Sequence, residues 1–153
     1  DGIRDSSTSR GLGDVYKRQV LDNTARTAID AANSLNTKVG SIVKSLLFKD
    51  AQNNYHLCLV SGDKYVSLDK ITNLVNETII KASADECKEF TGFSIGGVSP
   101  IALDNKPKSI FIDNNLSKYK KVFAAAGHPY VVFGLSYLEL CDLTNGTEDN
   151  ITE

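Results

Sequence analysis

Thr91-Gly92-Phe93-Ser94-Ile95-Gly96-Gly97-Val98-Ser99-Pro100 is a glycine-rich segment between a predicted helix and a predicted strand. Glycine tolerates positive φ and lets a ligand approach the main chain closely, so the adjacent Gly96 and Gly97 suggest exposed N–H groups. Pro100 has a fixed φ, which stiffens the exit from the segment. The segment therefore suits either an ordinary glycine-rich connection or a loop that binds a ligand.

Outward from this segment, the chain reads as hairpins mixed with helices. Thr27-x-x-Asp30 predicts a helix start, and Ile42–Phe48 and Tyr55–Val60 predict a hairpin that turns at Asn53-Asn54. The other predicted elements are a helix over 68–75, a strand over 78–81, a helix over 83–90 ended by Gly92, a strand over 110–113, a helix over 116–121, strands over 122–126 and 130–133, and a helix from Ser136 closed by Asn145-Gly146. Because strands and helices do not alternate as regular βαβ units, the sequence predicts a single α+β domain.

Composition is that of an ordinary globular protein. The 153 residues are 41% hydrophobic and 24% charged, with a net charge of −2, and no apolar run is long enough to span a bilayer. The three cysteines (Cys58, Cys87 and Cys141) are dispersed, which argues against a disulfide framework or a zinc knuckle. We expect a protein of the cytoplasm that does not contact a membrane.

The two ends differ from the middle of the chain. Residues 1–19 are polar and rich in glycine and serine, without periodicity, and their ending (Gly-Asp-Val-Tyr-Lys-Arg-Gln) resembles translated sequencing-adaptor sequence. We therefore expect a non-native leader over 1–19, a domain over 20–146 that lacks its native N-terminus, and an acidic tail over 147–153.

Several kinds of catalytic site find no support in the sequence. The two histidines, His56 and His128, have no HxxxH spacing, so we expect catalysis without a metal. Ser99 does not lie in a GxSxG elbow, and no GK[ST] follows the glycines. What remains is a site without a cofactor that positions a substrate and a water molecule.

Charged residues offer further candidates. Lys44, inside an apolar strand, either snorkels to the surface or points into a polar cavity. Asp113 ends a predicted strand and suits either a loop support or an ordinary strand-end turn. A group of lysines suits either a phosphate-contacting patch or a solvated face; its members are Lys106, Lys108, Lys118, Lys120 and Lys121.

Four segments together resemble one family. Thr27–Ala32, Ser41–Phe48, the glycine-rich segment and Ala124–Pro129 occur in the order seen in the YbaK/prolyl-tRNA-synthetase-associated family of aminoacyl-tRNA editing domains. The resemblance runs from about Thr24 to Thr144. It implies a mixed, mostly antiparallel sheet that curls toward a barrel, with helices packed around it.

The resemblance also implies an activity, which is hydrolysis of the ester that joins a wrong amino acid to tRNA, often proline tRNA. The implied catalytic residues are Lys44, Gly96, Gly97, Val98 and His128, with Ser99, Pro100, Asp113 and Gly127 as substrate-binding residues. The five lysines named above would contact the tRNA. Expected partners are the acceptor end of mischarged tRNA and an aminoacyl-tRNA synthetase. Two alternatives stay open, a non-catalytic tRNA- or nucleotide-binding module and an inactive truncated fragment.

Overall fold

The computed structural model describes residues 18–20, 27–128 and 131–153, with only the backbone described at 18–20 and 128. These residues form four α-helices and eight strands. In chain order the elements are β1 (Arg18–Val20), α1 (Ala28–Leu35), β2 (Val43–Asp50), β3 (Tyr55–Ser61), α2 (Leu68–Val75), β4 (Ile79–Lys81), α3 (Ala84–Thr91), β5 (Ser109–Asp113), β6 (Val122–His128), β7 (Val131–Leu135), α4 (Tyr137–Thr144) and β8 (Thr147–Asp149).

Local capping fixes where the helices begin. The Thr27 side chain accepts the N–H three residues further on at the start of α1. Ser83 with Glu86, and Ser136 with Glu139, form complete capping boxes at α3 and α4. Each cap satisfies backbone donors that a helix end leaves unpaired. The predicted starts of these three helices are confirmed.

The strands form two sheets rather than one. A five-stranded sheet has the order β4-β2-β3-β5-β8, and a three-stranded sheet has the order β1-β7-β6. Four of the strand pairs are antiparallel, while β5 pairs in parallel with both β3 and β8. The predicted α+β class with a mixed, mostly antiparallel arrangement is confirmed.

Closure of the sheet into a barrel is not confirmed. Among the described residues, a single parallel bridge between Ile42 and Phe123 connects the two sheets. β4 pairs with β2 only at Phe48–Asp50. The first half of β2 therefore keeps an outer edge that no described strand covers.

One predicted helix has another form. The segment predicted as a helix over 116–121 is a 3-10 helix at Asn114–Lys118. Asp113 Oδ1 accepts the Asn115 N–H at 2.9 Å, so the turn begins directly after β5. Its five residues make it a long example of a 3-10 helix, which is a form used in short connecting segments.

The hydrophobic residues pack in three clusters. The first lies between the β2–β3–β5 face and the β6–β7 hairpin and includes Val98. The second lies on the opposite face of the large sheet and includes Ile71 of α2. The third joins α1 to Ile42 and Val132.

Both ends of the chain are more involved in the fold than the sequence suggests. Residues 147–153 are not a separate tail, because β8 pairs with β5 and Ile151 is fully buried in the second cluster. The acidic composition of this segment predicted an exposed tail, although the segment contains one buried apolar residue, Ile151. At the other end, Arg18 and Gln19 pair with β7, so the predicted boundary at residue 19 passes through β1. The rest of the predicted leader, residues 1–17, lies outside the described residues.

Candidate functional site

A cavity of about 370 Å³ lies where α1, the first half of β2, the glycine-rich segment and the β6–β7 hairpin meet. Most of its wall is apolar, and three polar groups of β2 and β4 lie in it. Its lining residues are Thr27, Ala28, Ile29, Ala31, Ile42, Val43, Lys44, Ser45, Leu46, Leu47, Gly62, Lys81, Ala82, Cys87, Ile95, Gly96, Val98, Phe123, Ala125 and Val132. Apolar concave sites with few polar groups are typical of small-ligand binding.

Lys44 is half-buried and lines this cavity. Its Nζ donates to the carbonyl oxygen of Lys64 and lies 5.0 Å from the centre of the Tyr65 ring. Burial lowers the pKa of Lys44, because desolvation disfavours the charged amine, while the carboxylates of Asp63 and Asp113 oppose this shift. The amine is therefore held at the turn after β3 rather than against the glycine-rich segment.

Strand geometry explains this direction. Side chains alternate between the faces of a strand, so Lys44 shares a face with Leu46 and Phe48. Those two residues belong to the second cluster, whereas Val98 of the glycine-rich segment packs in the first. Lys44 and the segment therefore reach the cavity from different sides of β2.

Asp113 supports the turn that receives Lys44. Its Oδ2 accepts the Ser61 N–H at 3.0 Å, and its Oδ1 accepts both the N–H and the side-chain amide of Asn115. Asp113 is fully buried and does not line the cavity. The geometry fits the support role considered for it and gives it no direct access to a ligand.

The glycine-rich segment contributes Gly96 and Val98 to the cavity wall. Gly96 has φ 90, a left-handed conformation that glycine adopts without strain. The N–H of Gly97 is already used, because it donates to the Ser94 carbonyl at 2.9 Å. Among the described residues, the N–H groups of Gly96 and Val98 have no hydrogen-bond acceptor. Of the three neighbouring N–H groups at 96–98, two are therefore available to a ligand.

The last two residues of the segment lie behind this wall. Ser99 is fully buried, and its Oγ accepts the N–H of Ile101 at 3.2 Å. Pro100 is also buried, and neither residue lines the cavity. The structure therefore does not bring these two predicted substrate-binding residues to the cavity.

The end of β6 lies beside the cavity through Ala125. Gly127, with φ 89, sits in an irregular stretch of the β6–β7 pairing between Ala125 and His128, and it does not line the cavity. The backbone of His128 pairs with Val131. Its side chain lies outside what the structure describes, so its predicted role stays a prediction.

The five candidate tRNA-binding lysines are all exposed, but they form two groups. Lys106 and Lys108 precede β5, while Lys118, Lys120 and Lys121 follow it. The length of this strand separates the groups by roughly 13 Å. The second group follows the end of β5 that is nearer to Lys44, because Asp113 and Lys44 both lie near the last residues of β3.

Reasoning from the sequence missed several residues of the cavity. Ile29 and Ile95 line it although each side chain is more than half exposed, and Lys81 adds a second amine. Ser45 also lines it, with a buried Oγ that has no hydrogen-bond partner among the described residues. Alternation along Ile42–Phe48 could have indicated that Ser45 points away from Lys44.

Two features are absent from the described residues, a cluster of metal ligands and a membrane-spanning helix. No group of three or more His, Cys, Asp or Glu side chains lies close enough together to hold a metal ion. No helix in the described ranges combines the length and the apolar character needed to cross a membrane.

Comparison with known proteins gives consistent matches. The profile of the family described as "Aminoacyl-tRNA editing domain" matches residues 22–143. The proline–tRNA ligase of Fervidobacterium nodosum is 32% identical over 127 residues, which are 82% of this chain and 20% of the ligase. The uncharacterised protein YwhH of Bacillus subtilis is 27% identical over 124 residues, 81% of this chain and 78% of YwhH.

A solved structure agrees with these matches. Its protein is provisionally assigned as a trans-editing enzyme for prolyl-tRNA synthetase, and it is 34% identical to this chain with a TM-score of 0.87. The superposition covers 97% of this chain and 98% of the other. The chain therefore spans nearly all of that protein but only a fifth of the Fervidobacterium ligase.

Proposed function

The chain belongs to the aminoacyl-tRNA editing domain family, and we propose that it hydrolyses the ester bond of mischarged aminoacyl-tRNA in trans. The proposed substrate is proline tRNA that carries a wrong, small amino acid. The observation that carries the proposal is the cavity of about 370 Å³, which has Lys44 at its rim and Gly96 in its wall. Family membership and the proline–tRNA ligase relatives support the class of substrate.

The cavity suits an ester substrate whose hydrolysis needs little more than positioning. Water attacks the carbonyl carbon, the bond from that carbon to the ribose oxygen breaks, and a proton from the water passes to this oxygen, which leaves as the ribose hydroxyl. The negative charge that develops on the carbonyl oxygen can be met by the N–H groups of Gly96 and Val98. This step requires neither a cofactor nor a metal ion.

Lys44 lies at the cavity and carries a positive charge, so it can hold the end of the tRNA. An amine near the cavity rim can contact the terminal phosphate or the ester region of the substrate. The Lys44 ammonium has three N–H donors, so it can contact that end while it keeps its bond to the Lys64 carbonyl, and its partial desolvation strengthens its attraction to an anion.

The apolar wall suits a small side chain, which is the kind that a synthetase fails to exclude. One missing methylene changes binding by only about 1–3 kcal/mol, so a second hydrolytic site is needed to reach high fidelity. A cavity of this size can admit a small amino acid together with part of the terminal nucleotide.

The partners follow from the substrate. We propose that the acceptor end of the tRNA enters the cavity, and that Lys118, Lys120 and Lys121 contact the backbone of the acceptor stem. An aminoacyl-tRNA synthetase is a further proposed partner. Because charged tRNA is used in translation, the proposed place of action is the cytoplasm.

A deacylation panel tests the proposal. Proline tRNA is charged in turn with proline, alanine, serine and cysteine, and each product is incubated with the protein under single-turnover conditions, with and without EDTA. We expect faster release of a wrong amino acid than of proline, unaffected by EDTA. Binding of all four tRNAs without hydrolysis would support the binding-module alternative instead, and recovery of an EDTA-sensitive activity with zinc would contradict the metal-free step.

A further inference from the structure

We propose that Ser45 is a catalytic residue of this site, whose hydroxyl donates a hydrogen bond to the carbonyl oxygen of the aminoacyl ester. This inference rests on the proposed function and adds a residue that neither the motifs nor the resemblance indicates. It starts from the buried Ser45 Oγ, which has no hydrogen-bond partner among the described residues and belongs to a cavity-lining residue. Buried hydroxyls in folded proteins normally have a partner, so the unpaired hydroxyl of a cavity-lining residue is available to a ligand atom or a water.

The position of Ser45 on β2 places its hydroxyl on the side of the strand that faces the glycine-rich segment. Ser45 shares a strand face with Val43 and Leu47, since side chains two apart point the same way. Val43, Leu47 and Val98 pack in the same cluster. The hydroxyl therefore lies on the side of β2 that faces the glycine-rich segment, opposite to the side chain of Lys44.

The backbone of Ser45 adds a second donor at the same place. Leu47 accepts a hydrogen bond from the Ala82 N–H, so the main-chain groups of Leu47 point outward from the sheet. Main-chain direction repeats every second residue in a strand, and the N–H of Ser45 therefore points outward too. No described strand pairs with β2 at this position on that edge.

These donors compensate for a donor that the glycine-rich segment lacks. The Gly97 N–H is occupied by the Ser94 carbonyl, so the segment offers only its two neighbouring N–H groups. With Ser45, the carbonyl oxygen would receive donors from both walls of the cavity. The serine forms no covalent bond in this step; it stabilises the oxyanion while water attacks and the ribose hydroxyl leaves.

Ser45→Ala separates this role from a structural one. Loss of one oxyanion donor lowers kcat by about 100-fold, and we expect KM to change much less. The melting temperature should stay unchanged or rise, because the substitution removes a buried hydroxyl that has no partner. Ser45→Thr keeps the hydroxyl and should retain most of the activity.

A matched control is Ser61→Ala. Ser61 is also a buried strand serine, but its Oγ bonds to the Gly40 carbonyl and to Asp63. This variant should have a lower melting temperature, in contrast to Ser45→Ala. The measurements are single-turnover and steady-state deacylation of mischarged proline tRNA, together with thermal unfolding of each variant.

The outcomes separate this inference from the proposed function. A wild-type protein that hydrolyses none of the mischarged tRNAs overturns both. An active wild type with an equally active Ser45→Ala variant overturns only the role of Ser45. A Ser45→Ala variant that loses activity only in proportion to a lowered melting temperature also overturns it, because that is the signature of a structural serine.

Discussion

The two halves of β2 differ in whether their buried polar side chains have hydrogen-bond partners. At its end, Asp50 accepts hydrogen bonds from His56 Nε2 at 2.9 Å and from the N–H groups of Gln52 and Asn54. In its first half, the Ser45 hydroxyl has no partner among the described residues, and the outer edge of the strand is open to the cavity. A polar group that the fold itself saturates serves stability, whereas one that is left open is available to a ligand.

One polar atom beside Asp50, at the end of β2, is also unpaired in the part of the chain that the structure describes. His56 Nδ1 is buried without a partner among the described residues. Yet both side chains of the pair are only 1% exposed, and no lining residue of the cavity belongs to it. We therefore assign the His56–Asp50 pair to the stability of the fold.

Asp50→Ala should give the largest effect on stability. It leaves the buried His56 and two backbone N–H groups without their acceptor, and breaking a buried pair in this way costs about 3–5 kcal/mol. Urea unfolding of the variant and the wild type measures the loss. A difference below about 1 kcal/mol would contradict the structural role of the pair.

The same pair predicts how stability depends on pH. Although burial alone would raise the pKa of Asp50, hydrogen bonds from His56, Asn54 and Gln52 lower it from 3.8 to about 2. A carboxyl whose pKa is lower in the folded state stabilises the protein above its unfolded pKa. This stabilisation should therefore be lost as the pH falls from about 4 to about 2.

Unfolding free energies measured across this range test the prediction. Asp50→Asn removes the titrating group, so its curve should fall less steeply with decreasing pH than that of the wild type. Identical slopes for the two proteins would show that other carboxyls dominate acid unfolding.

Substitutions in the two lysine groups should give the smallest effect, a modest change in tRNA binding. They test whether the tRNA approaches the end of β5 that is nearer to Lys44. Lys120→Ala should weaken tRNA binding modestly and reduce the slope of log Kd against log salt by about 1, as expected for one phosphate contact. Lys106→Ala, at the opposite end of β5, is the matched variant and should change Kd less. Equal effects of both substitutions would indicate that the tRNA covers the whole length of β5.

The sequence was informative wherever local chemistry decides the structure. Side chains within three residues of Thr27, Ser83 and Ser136 determine the helix starts, so these could be predicted. The arrangement of the two sheets could not, because it depends on long-range contacts, namely the bridge between Ile42 and Phe123 and the packing of the first hydrophobic cluster. The helix-like residues after β5 predicted an α-helix over 116–121, whereas Asp113, for which a strand-end turn was one of two interpretations, starts a 3-10 helix through its side chain.

The candidate site was also predictable in part. The family resemblance placed Lys44 and Gly96 together, and both line one cavity. It could not show that the Gly97 N–H is used within its own turn, since that depends on the local backbone conformation. The missing hydrogen-bond partner of the Ser45 hydroxyl could not be predicted either, because it depends on which residues the fold brings next to Ser45.

The central claim is that the open half of β2 carries the reaction, and Lys44→Ala tests it most directly. The matched control is Lys49→Ala, which removes a lysine of the same strand that pairs with Glu86 and does not line the cavity. Single-turnover hydrolysis of mischarged proline tRNA and melting temperatures are measured for both variants and the wild type. We predict that Lys44→Ala slows hydrolysis by at least about tenfold, equivalent to about 1.4 kcal/mol of transition-state stabilisation, with little change in melting temperature. Lys49→Ala should hydrolyse at the wild-type rate; a fully active, normally folded Lys44→Ala protein would contradict the claim.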